Sequence, residues 1–168
     1  MLIILCGLPG VGKSSLAKEI SQRIGAAYIR IDSIENGVQR SVLRIKSLED
    51  AGYQAAYAVA QDNLLLGLTV VADSVNPIEV TQRAWRNVAE RAGVPAIEVE
   101  VVCTDPVEHQ RRIETRRRKA KDQGLPNWRD VLSRDYTSPQ TPDIMIDTAG
   151  KTIEDGAAEF FVKLKTVH

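Results

Sequence analysis

The sequence predicts an α/β fold, a doubly wound parallel sheet of five strands with helices on both faces. Three observations carry this reading. Short apolar runs alternate with longer segments of helical period along the chain. The first run, Leu2–Cys6, is apolar throughout, as a strand buried on both faces must be. Two strand-to-helix passages, Asn76-Pro77-Ile78-Glu79 and Asp105-Pro106-Val107-Glu108, repeat one design. Each offers a cap residue, a proline at the first helical position and a glutamate for a capping box.

The elements follow in order. After Leu2–Cys6, Leu16, Ile20 and Ile24 recur at helical spacing, and Gly25 is placed to stop that helix. Ala27–Ile31 reads as the second strand, and a helical stretch covers Ile34–Ile45. The next helix puts Tyr53, Ala56, Tyr57, Ala60 and Leu64 on one face, and Leu68–Ala72 is the third strand. A helix opens at Asn76, Ile97–Cys103 is the fourth strand, and a second capped helix opens at Asp105. Ile144–Ile146 is the fifth strand. Thr152 then opens a last helix whose face is Ile153, Ala157, Phe160, Phe161 and Leu164. No repeat, low-complexity tract or linker divides the chain, so residues 1–168 read as a single domain.

Composition narrows the function. The 168 residues are 43% apolar, enough for an ordinary core. Lysine plus arginine and aspartate plus glutamate both number 22, a formal charge of zero. That balance argues against a general polyanion binder or a membrane-surface protein. Cys6 and Cys103 fit neither a zinc site nor a CxxC pair, which points to a reduced, cytoplasmic compartment. Leu2–Cys6 has no basic segment before it and runs straight into glycines, so it is a strand and not a signal peptide. No apolar stretch approaches the roughly 20 residues of a membrane span.

The chemistry is concentrated in Gly7-Leu8-Pro9-Gly10-Val11-Gly12-Lys13-Ser14, which satisfies GxxxxGK[ST] in full. Its glycines let successive backbone N–H groups turn inward toward phosphate oxygens. The helix that starts near Gly12, with Ser15 in its first turn, adds its positive end. Lys13 can reach β- and γ-phosphates, and the Ser14 hydroxyl can ligate magnesium. The loop lies between a buried strand and an amphipathic helix, the context that separates it from a chance glycine turn. In a doubly wound sheet ligands bind at the carboxyl ends of the strands, so residues there are the ones to read for chemistry.

This short loop with Pro9, at the start of a small chain, resembles the small-molecule and nucleotide kinases of the P-loop class. The nearest likeness is to the ATPase-like kinases that include chloramphenicol phosphotransferase, zeta-toxin-type kinases and the polynucleotide kinase domain, with adenylylsulfate kinase a related comparison. The resemblance implies strand order 2-3-1-4-5 and a helical lid at about 117–127. It also implies ATP and magnesium as cofactors, and an alcohol as acceptor of the γ-phosphoryl group. Asp32, in Tyr28-Ile29-Arg30-Ile31-Asp32-Ser33, stands where such kinases carry the carboxylate that takes the acceptor's proton. The competing reading is a helix cap, a role open to Ser33 as well. Asp73, in Val70-Val71-Ala72-Asp73-Ser74, stands for a second strand-end carboxylate serving magnesium-bound water or the acceptor, or else a turn residue. No Asp-Glu pair of the kind used by mechanical ATPases follows this strand, which favours a kinase over a motor.

Seven residues of Arg111–Lys121, RRIETRRRKAK, are basic. Arg112 and Arg116 share a helix face and match the family pattern of lid arginines that close on ATP phosphates. A solvated helix face and a nucleic-acid contact are the alternatives. The acceptor is expected against Ser33–Ile45, Glu49–Tyr57 and Ser74–Pro77, with Arg40 and Asn76 joining Tyr53 and Tyr57 in a polar, partly aromatic pocket. Arg40 could equally face solvent. Kinases of similar build bring the loop after the last strand to the base, which places Thr148 near adenine. His109 reads as an exposed residue, Trp85 as core, and Trp128 as core or acceptor wall. The reading is a small-molecule kinase, monomer or homodimer, without a nucleic-acid or membrane partner. A nucleotide or polynucleotide 5′-hydroxyl kinase and an ATP-binding regulatory module stand as alternatives.

Overall fold

The computed structural model describes residues 1–42, 45, 47–121 and 125–167. Leu2–Cys6 forms β1 with every residue buried, and the chain continues through α1 (Lys13–Ile24), β2 (Ala27–Arg30), α2 (Ile31–Gln39), α3 (Ala51–Leu65) and β3 (Val70–Asp73). It then runs through α4 (Glu79–Ala92), β4 (Ala96–Val102), α5 (Pro106–Lys119), α6 (Trp128–Leu132), β5 (Ile144–Asp147) and α7 (Ile153–Val167). The five strands form one sheet in the order β2-β3-β1-β4-β5, and all neighbours are parallel. This is the doubly wound order that the resemblance implied. The phosphate loop leaves the central strand, and β2 and β3 end on one side of it.

Strand alternation sorts β1 between two cores. Ile3 and Leu5 face Leu16, Ala17 and Ile20 of α1 and Ala157 and Phe160 of α7. Leu2 and Ile4 face Ala56, Ala60 and Leu64 of α3 and Trp85 of α4. Trp85 is wholly buried, as read from its amphipathic position. So is Phe160, whose ring meets Phe161 edge-on at 5.2 Å. Phe160→Ala is expected to cost about 3–5 kcal/mol of unfolding free energy, read by urea denaturation, because α7 cannot collapse into so large a void.

Several boundaries differ from the sequence reading. Ile31 belongs to α2 and not to β2, and that helix ends at Gln39, where Asn36 and Gly37 weaken its last turns. Of the rest of the expected helix, Arg40, Ser41, Val42 and Ile45 are not helical, and Leu43 and Arg44 lie outside the described residues. Asp105 caps α5 as expected, accepting from the N–H groups of Val107 and Glu108. The matching motif at Asn76 does not cap α4. Asn76 is buried with a left-handed backbone, and Ile78 takes the cap position without a side-chain bond. Thr152 and Asp155 do cap α7 reciprocally. The short α6, held by a capping box of Asn127 and Asp130, was not foreseen.

Candidate active site

The phosphate loop is fixed by its neighbours. Gly7 has φ 136°, and a Cβ there would lie 2.2 Å from the Val101 carbonyl oxygen. At Gly10 a Cβ would lie 2.4 Å from Cδ1 of Ile113, so the loop sits directly on α5. Lys13 opens α1, is only 7% exposed, and donates from Nζ to the Leu8 carbonyl at 2.8 Å. Burial brings its ammonium down to about 8, against the pull of Asp73 and then Asp32. Nucleotide phosphates favour the charged form, so binding above this pKa requires a proton from solvent. Affinity for MgADP should therefore fall as pH rises from about 8 toward the ordinary lysine range near 10. Calorimetry in buffers of different ionisation heat reads the uptake, and Lys13→Met should remove it.

A cleft of about 1000 Å³ opens over this loop. It brings together Lys13, Ser14, Ser15, Asp32 and Asp73 with Arg112, Arg116 and Thr148. Pro9, Gly10 and Gly12 contribute the loop's own surface, while Gly7, Leu8 and Val11 lie beneath it. Four expected residues are elsewhere: Tyr53 and Tyr57 pack against the apolar core around Trp85, and no residue of Glu49–Tyr57 lines the cleft. Arg40 is exposed just past the end of α2, and Asn76 is 1% exposed; neither lines the cleft. Asn76 serves the fold instead, its N–H donating to the Tyr53 hydroxyl at 3.3 Å and its carbonyl accepting from Gln82.

The two strand-end carboxylates differ in setting. Asp73 is 3% exposed and accepts a 2.7 Å hydrogen bond from the Tyr28 hydroxyl. Arg30 pairs with it at 3.5 Å and also with Asp32, whose side chain is half exposed. Asp32 does not cap α2. The cap position is Arg30 and carries no side-chain bond, so the competing reading of Asp32 fails. Burial, then the bond to Asp73, pushes the Tyr28 phenol up. Tyr28 and Arg30 escaped the sequence reading, although they alternate along β2 and lie in register with Val71 and Asp73. Arg134 was also missed and lines the cleft, as does Glu35, which falls within the acceptor segment expected over Ser33–Ile45. Burial, then Asp32, raises the Glu35 carboxyl. Among the described residues no three His, Cys, Asp or Glu side chains form a metal cage.

The arginines separate as well. Arg112 donates to the Thr148 hydroxyl at 2.7 Å, to the Thr148 carbonyl at 2.9 Å and to Glu108 at 2.7 Å. The Thr148 hydroxyl lies 2.7 Å from the Val11 carbonyl, which ties Arg112 to the phosphate loop. Bonding from the Gly150 N–H, then from Arg112, holds Glu108 below the usual carboxylate range. Arg116, one turn on, is exposed and makes no ion pair among the described residues. Of the expected lid, residues 117–119 close α5, Leu125 and Pro126 line the cleft, and Asp122–Gly124 lie outside the described residues. His109 is not exposed. It is buried under the loop, and the Trp128 ring meets it edge-on at 5.0 Å instead of forming an acceptor wall. Cys6 and Cys103 are free thiols, and burial pushes Cys6 up to about 12, which makes it a poor nucleophile.

The loop on the central strand, with β3 directly beside it, defines the class: a P-loop kinase. The chain belongs to the AAA domain family (AAA_33), whose profile matches residues 2–134. It is 24% identical to an adenylyl-sulfate kinase of Myxococcus xanthus, over 92% of this chain and 85% of that one. A gluconokinase of Sinorhizobium meliloti shares the fold at a TM-score of 0.68 and 17% identity, covering 98% of this chain and 91% of that one. Kti12 of Chaetomium thermophilum, crystallised with ADP-AlF3, does so at 0.71 and 21%, covering 99% and 98%. The chain is an ATP-dependent kinase. No helix among the described residues is long and apolar enough to cross a membrane.

Proposed function

We propose that this kinase moves the γ-phosphoryl group of ATP to a hydroxyl of a small molecule seated between α2 and the end of β3. The observation that carries the reading is the shared cleft. Lys13 and Ser14 of the phosphate loop, Asp32 just past the end of β2, Asp73 at the end of β3, and Arg112 and Arg116 of α5 all line it. Phosphoryl transfer needs little covalent help, so positioning and charge neutralisation suffice. Lys13 steadies the phosphates. Asp32, which is unburied and caps nothing, accepts the acceptor's proton. Asp73, buried and bonded by Tyr28 and Arg30, would help Ser14 hold magnesium. Ser14 and Asp73 suit magnesium because that ion takes few protein ligands and completes its shell with phosphate and water. The ion would supply charge neutralisation on the transferring group.

Adenine rests near Asp147-Thr148-Ala149-Gly150, where Thr148 lines the cleft, Gly150 has φ 66° and small residues allow close approach. Equal use of ATP and GTP would argue against base contacts there. Residues 1–168 act as one domain, closed by the segment at about 117–127. Both thiols being free suits a reduced, cytoplasmic setting.

Arg112 and Arg116 belong to transfer and not to nucleic-acid binding in this proposal. Replacing either by lysine should lower kcat about tenfold or more while leaving ATP binding nearly intact. Lysine keeps the charge but cannot bridge two oxygens, and at position 112 it cannot span Glu108 and Thr148 together. Single-turnover kinetics with both variants at wild-type rates would contradict the lid. The named kinases above share a fold and differ in acceptor, so the acceptor must be found by assay. Adenylyl sulfate and gluconate are the first compounds to offer with γ-labelled ATP. A labelled phosphate ester from either would fix the acceptor. Turnover of neither, with turnover of an oligonucleotide 5′-hydroxyl, would move the assignment to a polynucleotide kinase.

A further inference from the structure

His109 is buried, 5% exposed, on the face of α5 that carries the phosphate loop. Its Nε2 lies 2.8 Å from the Pro9 carbonyl oxygen. A carbonyl can only accept, so Nε2 carries the proton and donates. A Cβ at Gly10 would come within 3.3 Å of the His109 ring, so ring and loop are in direct contact. The Trp128 ring packs edge-on against the other side, at 5.0 Å and 78°. The imidazole is thus held from two sides with its donor aimed at one peptide of the loop.

That peptide has a specific need. In a loop whose N–H groups turn inward to hold phosphate, the carbonyls turn outward, and a buried one requires a donor. The Leu8 carbonyl takes Lys13 Nζ, a bond that the lysine would give up on turning to phosphate. Among the described residues the Pro9 carbonyl has His109 alone as donor, and Pro9 brings no N–H of its own. We infer that His109 is a positioning residue of the phosphate loop, whose Nε2–H pins the Pro9 carbonyl outward and so keeps the loop preorganised for nucleotide phosphates. It touches no reacting atom. The inference rests on the nucleotide-binding reading of the loop and adds a residue that the motif does not contain.

The test uses the full chain and MgADP, with the dissociation constant read by calorimetry. His109→Phe keeps a ring against Trp128 and Gly10 but removes the donor. Affinity should fall about tenfold, equivalent to about 1.4 kcal/mol. His109→Gln carries an amide nitrogen at nearly the reach of Nε2 and should restore affinity to within about threefold of wild type. His109→Asn carries the same amide too short to reach and should resemble phenylalanine. The glutamine–asparagine pair decides the matter even where phenylalanine fails to fold. Equal affinities for glutamine and asparagine, or a phenylalanine variant at wild-type affinity, would overturn the positioning role and leave the kinase assignment standing. Wild-type protein that binds no MgADP would instead overturn the nucleotide reading itself.

Discussion

Lys13→Ala is expected to keep the fold and to lose about 10³-fold or more in ATP-dependent transfer, several kcal/mol of transition-state stabilisation. The structure makes both halves of this expectation concrete. Lys13 is 7% exposed, yet its ammonium bonds the loop's own Leu8 carbonyl and is not packed into either apolar core. Its removal also relieves the burial that lowers its pKa. Thermal unfolding of the variant should therefore match or exceed wild type while turnover collapses. Unaltered turnover would remove the loop from the mechanism.

Asp32→Asn should leave MgADP affinity near wild type and cut transfer by about 10²-fold or more, because asparagine cannot take the acceptor's proton. Among the described residues the Asp32 side chain bonds only Arg30, and it is half exposed, so the fold should be indifferent to the change. Asp73→Asn is a different experiment. Asp73 is buried, accepts from Tyr28 and pairs with Arg30, and its neutralisation should lower stability as well as activity. The informative comparison is the pair of pre-steady-state transfer rates in the two variants at saturating magnesium. Transfer near wild-type rate in Asp32→Asn, with loss in Asp73→Asn, would pass the base to Asp73.

Much of the fold was legible because strands buried on both faces and amphipathic helices leave strong local patterns. Leu2–Cys6 and the run from Ile97 both became strands near their expected bounds. The Asp105 side chain took the cap of its helix, whereas Asn76, alike in pattern, is buried with its N–H donating to the Tyr53 hydroxyl. Local sequence does not record that difference. Expected cleft residues from the phosphate loop, strand ends and basic helix meet in one space because topology brings the strands' carboxyl ends together. Arg40 failed since α2 stops early and turns it to solvent. His109 and Tyr28 were invisible for another reason. Each acts through a partner distant in sequence, Pro9 in one case and Asp73 in the other.

The measurement closest to the central claim is incubation of the protein with γ-labelled ATP, magnesium and a cellular metabolite pool, with Lys13→Ala in parallel. The account predicts label in an acid-stable phosphate ester of a small organic compound, absent from the Lys13→Ala reaction. Label released only as inorganic phosphate, with no ester formed by wild-type protein in the presence of the full pool, would contradict it.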